Sequence, residues 1–253
     1  MTNISKLLRV AAASLFLLYE GLMFYLIHFK DADPDAILRY RCIIAAALFS
    51  ISVILLRLIT GDRISDALNP KNGLFILVAM LFTLAADYYL VALPTAKELE
   101  GVTVFLGTQL FLFLHILIND EDRRSRRVHI ITRISLSVII VLVAFAVLGD
   151  DTDKLAIISV IYYANLVAST IFAHRSGRGG AILTIGLLLF MLCDINVGLS
   201  NLDYTYIGGG FKEGTLLYEI VNSDIDLAWF FYIPSQTLIP MTLLFCDKKS
   251  RQR

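Results

Sequence analysis

The chain has 253 residues, 57% hydrophobic and 17% charged, with 22 basic and 22 acidic side chains and a mean hydropathy of +0.73. A soluble domain carries about 25% charged residues, so this composition excludes one. A formal net charge of zero removes the electrostatic case for nucleic acid.

The apolar residues run in blocks of about 20, the length that crosses a bilayer core of about 30 Å. Eight spans are predicted, at about 7–29, 38–60, 73–93, 101–118, 128–148, 154–174, 180–200 and 227–245. Each is expected to be helical, because a helix satisfies its own backbone hydrogen bonds in lipid. The first block is too long for a signal-peptide core, and its small residues Ala11 to Ala13 precede the apolar run, so it reads as a retained span. The expectation is an all-α, polytopic bundle of eight transmembrane helices forming one integral membrane domain over residues 1–253. The connections are short except Asn201 to Asp226, which holds Gly208, Gly209 and Gly210 and the apolar stretch Leu216 to Val221. That segment reads either as a flexible loop or as a short interfacial helix.

Basic residues set the orientation. Of the 22 Lys and Arg side chains, 16 fall on one side: Lys6, Arg9, Arg57, Arg63, Lys71, the cluster Arg123 to Arg127, Arg133, Arg175, Arg178, and Lys248, Lys249, Arg251 and Arg253. The opposite loops are acidic, with Asp31, Asp33, Asp35, Asp150, Asp151 and Asp153. The positive-inside rule then makes both termini cytoplasmic, in a cell membrane. The Arg123 to Arg127 cluster reads first as a topology determinant, with anionic lipid as its other reading.

Three acids lie inside the spans. A charge in hydrocarbon costs several kcal/mol, so intramembrane acids are rare and point to function. Glu20, Asp87 and Asp194 lie on spans of the same direction, each about 20 Å from the cytoplasmic edge at 1.5 Å per residue. Gln109, Tyr162, Asn165, Tyr232 and Gln236 enter the same layer from spans of the opposite direction. Their amides and phenols are expected to bond the buried acids. Asp87 and Asp194 recur four spans apart, each followed by a glutamine in the next span. A parallel four-plus-four repeat would turn the two aspartates toward each other. The plainer reading of a buried Asp is a hydrogen bond that glues helices together. Glu20 reads either as a third member of the site or as the partner of Arg41.

No metal or cofactor is expected. Cys42, Cys193 and Cys246 fall in predicted spans without disulfide or zinc spacing. His28, His129 and His174 lie near span ends and are expected to be interfacial, and His115 faces away from the acids. No serine shares the acid layer with a histidine, which leaves no catalytic triad.

Four segments carry a family likeness. "LFTLAAD" (Leu81 to Asp87) resembles the F-S-L-L-G-D segment of the YhhN-like lysoplasmalogenases, and "GLLLFMLCD" (Gly186 to Asp194) resembles their G-A-L-L-F-x-x-S-D segment. "GVTVFLGTQLF" (Gly101 to Phe111) is similar to G-x-x-x-F-x-x-x-H, and "FYIPSQ" (Phe231 to Gln236) to Y-Y-x-A-Q. The order matches the family, and Asp87 and Asp194 keep its acids. Ala86 stands for its glycine, Cys193 for its serine and Gln109 for its histidine. The resemblance implies a lysophospholipid-like substrate within the membrane lipid. The implied reaction is vinyl ether hydrolysis by Asp87 and Asp194, with Gln109, Tyr162, Asn165, Tyr232, Gln236 and Glu20 around the substrate. The competing reading is a lipid-binding bundle or proton-coupled transporter using the same acids. The oligomeric state is not readable from the chain.

Overall fold

The computed structural model describes residues 3–30, 35–60, 63–202 and 210–246, with side chains from Lys6 onward. Asp31, Asp33, Gly208, Gly209 and the terminal Lys248, Lys249, Arg251 and Arg253 lie outside the described residues.

Eight long helices carry the chain across: α1 (Asn3–Tyr25), α2 (Ala36–Ile59), α4 (Leu74–Asp87), α5 (Glu98–Asn119), α6 (Arg123–Leu148), α7 (Lys154–Phe172), α8 (Gly180–Asn201) and α10 (Leu227–Met241). Two short helices, α3 (Ile64–Ala67) and α9 (Leu216–Val221), sit in connections. Described residues contain no strand, and the eight long helices, α4 and α10 taken with the turns that follow them to Ala92 and Leu244, are long and apolar enough to span a membrane. The fold is therefore the all-α polytopic bundle expected from the sequence. The Leu216 to Val221 stretch is a helix, and it packs on α8.

The acidic loops do structural work besides setting charge. Asp35 accepts from the Leu38 N–H (2.6 Å), Asp153 from Ala156 N–H (2.7 Å) and Asp226 from Trp229 N–H (3.3 Å). These three residues cap α2, α7 and α10, all starting at the acidic end. A carboxylate there pairs an orphan N–H and meets the positive end of the helix dipole. At the basic end Asp122 caps α6 through the Arg124 N–H (2.9 Å). That cap explains why α6 begins at Arg123, five residues before the predicted span: a capped polar turn extends the helix past its apolar part.

Packing follows a two-fold pattern. The contacts of α1 on α2, α2 on α4 and α4 on α5 reappear as α6 on α7, α7 on α8 and α8 on α10. Across the halves, α5 packs on α7 and α10 packs on α2. This is the neighbour pattern of a four-plus-four repeat. It is not perfect, since α10 also touches α1 and α4. Helix α10 is the most enclosed span and α6 the most lipid-facing. On α6, Ile131, Ile134, Val138, Leu142 and Val147 are all exposed, as an apolar belt against acyl chains must be.

In lipid no hydrophobic force pulls helices together, so close packing at small residues decides the contacts. At Gly107 a Cβ would stand 2.2 Å from the Phe82 ring, and at Gly186 it would stand 3.2 Å from the Ile239 backbone nitrogen. These glycines seat α5 against α4 and α8 against α10. The pairs so fixed carry the acids.

Two placements differ from expectation. His129 is fully buried, stacked on Phe172 (4.4 Å, 15°) and edge-on to Phe113 (5.0 Å). An imidazole is a flat ring able to fill an aromatic seam, which proximity to a span end does not reveal. Cys246 lies past the last turn of the final span, partly exposed, while Cys42 and Cys193 are buried.

Candidate active site

Asp87 is the last α-helical residue of α4; beyond it Tyr88–Ala92 form a π turn. The wider turn closes with the Leu93 N–H on the Tyr88 carbonyl (3.2 Å). Such turns interrupt helices most often at functional positions. The Asp87 carboxylate, 3% exposed, accepts a hydrogen bond from the Tyr232 hydroxyl of α10. Asp194, four turns into α8, accepts one from the Tyr162 hydroxyl of α7 (2.6 Å). The two carboxyl groups lie within electrostatic reach of each other, and Tyr162 is within reach of both. The structure thus brings Asp87, Asp194, Tyr162 and Tyr232 into one cluster, with Cys193 among them.

An aromatic floor joins the two halves. Tyr162 packs on Phe105 (5.6 Å), Phe105 on Phe190 (5.8 Å), Phe190 on Tyr232 (5.6 Å) and Tyr232 edge-on to Trp229 (5.3 Å, 84°). Phe190 lies one turn before Asp194 on α8, and Trp229 one turn before Tyr232 on α10. The floor packs apolar surface against both phenols. Tyr40 of α2 adds a further hydroxyl, bonded to the Leu84 carbonyl (3.0 Å) and within electrostatic reach of Asp87.

The glutamines do not serve the acids as expected. Gln109 is completely buried one turn beyond Phe105, and neither its side-chain nitrogen nor its oxygen has a partner. Its backbone carbonyl accepts from Arg133 (3.1 Å). Gln236, one turn beyond Tyr232, donates to the Ser235 hydroxyl (3.4 Å) and its Oε1 has no partner. Asn165 turns its amide back onto the Ile161 carbonyl of its own helix (2.6 Å). At shared depth, helix rotation decides which polar groups meet, and the tyrosines take the bonds.

Glu20 pairs with neither the aspartates nor Arg41. Its Oε2 accepts from Thr237 (3.4 Å) beside Cys42, while Oε1 is buried without a partner, and Arg41 is exposed. Arg133 was read as a basic-end residue, yet it reaches into the bundle. It lies over Phe113 (4.4 Å) and bonds Ser169 (3.3 Å) and the Gln109 carbonyl. His115 is buried, with Asn119 against its Nδ1 (3.4 Å). Sequence reasoning missed the aromatic floor; the spacing of Phe105, Phe190 and Trp229 one turn from a site residue was the available signal.

A groove of about 400 Å³ lies along Tyr89, Leu99, Glu100, Thr103 and Val104, next in chain to Asp87 and Phe105. A larger one of about 790 Å³ lies at the basic end, walled by Asp66, Lys71, Asp120, Arg175 and Arg178 among others. There Asp120 is buried but well satisfied. Burial opposes its charge, yet the Ser125 hydroxyl, the Asp122 N–H and Arg175 outweigh it and hold its carboxyl below the usual carboxylate range.

An eight-helix membrane bundle with two tyrosine-held carboxylates in its apolar interior is the class that fold and site define. Residues 48–242 match the YhhN family, and the chain belongs to it. The match covers Asp87, Gln109, Tyr162, Asp194, Tyr232 and Gln236, and leaves out α1 and the first part of α2. No curated protein and no solved structure matches the chain significantly.

Proposed function

We propose that the chain is a membrane-embedded hydrolase that cleaves the vinyl ether of a lysoplasmalogen to a fatty aldehyde and a glycerophospho-alcohol. The observation that carries the reading is that Asp87 and Asp194, each held by a phenol, lie within electrostatic reach of each other beside an aromatic layer. A vinyl ether is opened by protonating its β-carbon. Two carboxyls do this when they share one proton, as paired carboxylates do in glycoside hydrolysis. The protonated acid gives its proton to the β-carbon, forming a C–H bond and an oxocarbenium ion beside two carboxylates. Water adds to the α-carbon and leaves its proton on the pair. The hemiacetal then collapses: the pair protonates the glycerol oxygen, the C–O bond breaks, and the hydroxyl proton returns to the pair as the aldehyde forms. Tyr162 and Tyr232 hold the carboxylates in register for these transfers, and preorganised donors of this kind cost no rearrangement during reaction. The groove along Tyr89 and Thr103 offers a flank on which an alkenyl chain can lie.

The protein's place in this proposal is the cell membrane with both termini cytoplasmic, a reading supported by the 16 basic residues on one side. Gln109, in the position of the family's histidine, is left out of the chemistry, since its side chain bonds neither acid. The test is mass spectrometry of purified protein incubated with a lysoplasmalogen. Stoichiometric aldehyde and glycerophospho-alcohol are expected. Intact lipid, in detergent and in liposomes alike, would contradict the proposal and favour a lipid-binding or proton-coupled bundle.

A further inference from the structure

A second polar cluster stands at the acidic mouth, outward of the acids. Arg39, near the start of α2, lays its guanidinium over Trp229, 5.6 Å from the ring centroid. One of its terminal nitrogens lies 3.2 Å from the Asp226 carboxylate at the head of α10. His28, from the π turn Leu26–Lys30 that ends α1, lies against Trp229 and within electrostatic reach of both Arg39 and Asp226. It packs on Phe24 (4.7 Å) and Phe230 (5.9 Å). Arg39 Nε and His28 Nε2 are both buried and have no hydrogen-bond partner.

That pattern is a poor fit to a helix tie. A structural Arg–carboxylate pair gains most from a bidentate fork, made by the two terminal nitrogens or by Nε and one of them. Here Asp226 meets one terminal nitrogen at a partly exposed rim, and the inward nitrogen is left over. Three successive contacts lead from this guanidinium to the acids: Arg39 on Trp229, Trp229 on Tyr232, Tyr232 to Asp87. A ligand whose reacting carbon rests at Asp87 would therefore carry its polar head past Trp229 to Arg39. Planar, multiply donating and always charged, a guanidinium matches the oxygens of a phosphate.

We propose that Arg39, with His28 beside it, binds the phosphate of a lysophospholipid, and that Asp226 is the built-in anion the phosphate displaces. This inference rests on the reading of the acid pair as acting on such a lipid. It assigns head-group recognition to α1, α2 and the head of α10, and reaction to α4 and α8.

Trp229 is the chain's single tryptophan, so emission excited selectively from tryptophan reports this site alone. The experiment titrates full-length protein in a neutral maltoside detergent with a saturated alkyl-ether lysophospholipid and, separately, with the glycerol monoalkyl ether lacking phosphate. The phosphate-bearing ligand is expected to change Trp229 emission saturably and to bind at least about tenfold more tightly. Arg39→Gln should erase that preference and leave the neutral ligand's affinity unchanged. Asp226→Asn, which keeps the helix cap, should strengthen phosphate binding several-fold. The opposite signs of the two variants separate a ligand site from a tie between α2 and α10. Equal affinity of the two ligands for the wild type would overturn the inference. So would a preference that survives in Arg39→Gln, or an Asp226→Asn variant weakened as much as Arg39→Gln. The saturated ether cannot be opened by protonation, so this result stands apart from turnover. Arg39-dependent binding without aldehyde release from the alkenyl lipid would contradict the hydrolase reading alone.

Discussion

Tyr232→Phe removes one oxygen and little else. The ring keeps its contacts with Trp229 and Phe190, so packing in the floor is preserved. What disappears is the hydroxyl that donates to Asp87, a carboxylate 3% exposed and sealed from water. A hydrogen bond to a charged group is worth about 1.5–3 kcal/mol, and a buried acceptor left unpaired pays the upper part of that range. Each 1.36 kcal/mol is tenfold in rate, so turnover should fall by about 10- to 100-fold. Tyr162→Phe removes the matching donor from Asp194, which is only half-buried and can take a water instead. Its loss should be smaller, about tenfold or less. The assay is aldehyde release under single-turnover conditions, with thermal unfolding followed in parallel. Unchanged rates for Tyr232→Phe, or a larger loss for Tyr162→Phe, would refute the reasoning.

Further outcomes follow from the packing and the charges. Gly186→Val places methyls where a Cβ alone already stands 3.0 Å from Ile239 Cγ1, and it should destabilise the α8–α10 contact by about 1–3 kcal/mol, read as a lower Tm. A full-strength Tm would show that α8 and α10 are not in the contact described. Asp120 has its folded pKa below the ordinary value, so the stability it lends is present above the unfolded pKa and is lost as pH falls through the folded one. Asp120→Asn should therefore lower Tm at neutral pH and have a shrinking effect in acid; an effect that grows in acid would reverse the sign argued here. Single cysteines placed in the Arg123 to Arg127 turn and in the Asp150 to Asp153 turn should react with an impermeant thiol reagent from opposite sides of sealed vesicles, the basic turn from the cytoplasmic side.

The eight spans were legible because lipid demands unbroken apolar length, and the structure keeps each within a few residues of the predicted bounds. The acids were legible for the same reason, since Asp87 and Asp194 interrupt runs that tolerate nothing polar without cause. Partner choice was not legible. Gln109 and Tyr232 share a depth with the acids, yet only one of them faces an acid, because a rotation of one residue on a helix is about 100° and sequence spacing leaves the rotation between helices free. Arg133 was misplaced because a long side chain can lie inward from a turn that reads as cytoplasmic. In the sequence Asp35 and Asp153 read as charge alone and Asp226 only as the end of a loop; their capping role is visible only with the helix starts.

The most direct test of the central claim is a mutant cycle on the two acids, measuring aldehyde release for Asp87→Asn, Asp194→Asn and the double variant, with folding checked for each. Groups that share one proton act as a unit, so each single variant should lose about as much activity as the double. Two losses that multiply, or a single variant that retains most of the wild-type rate, would contradict it.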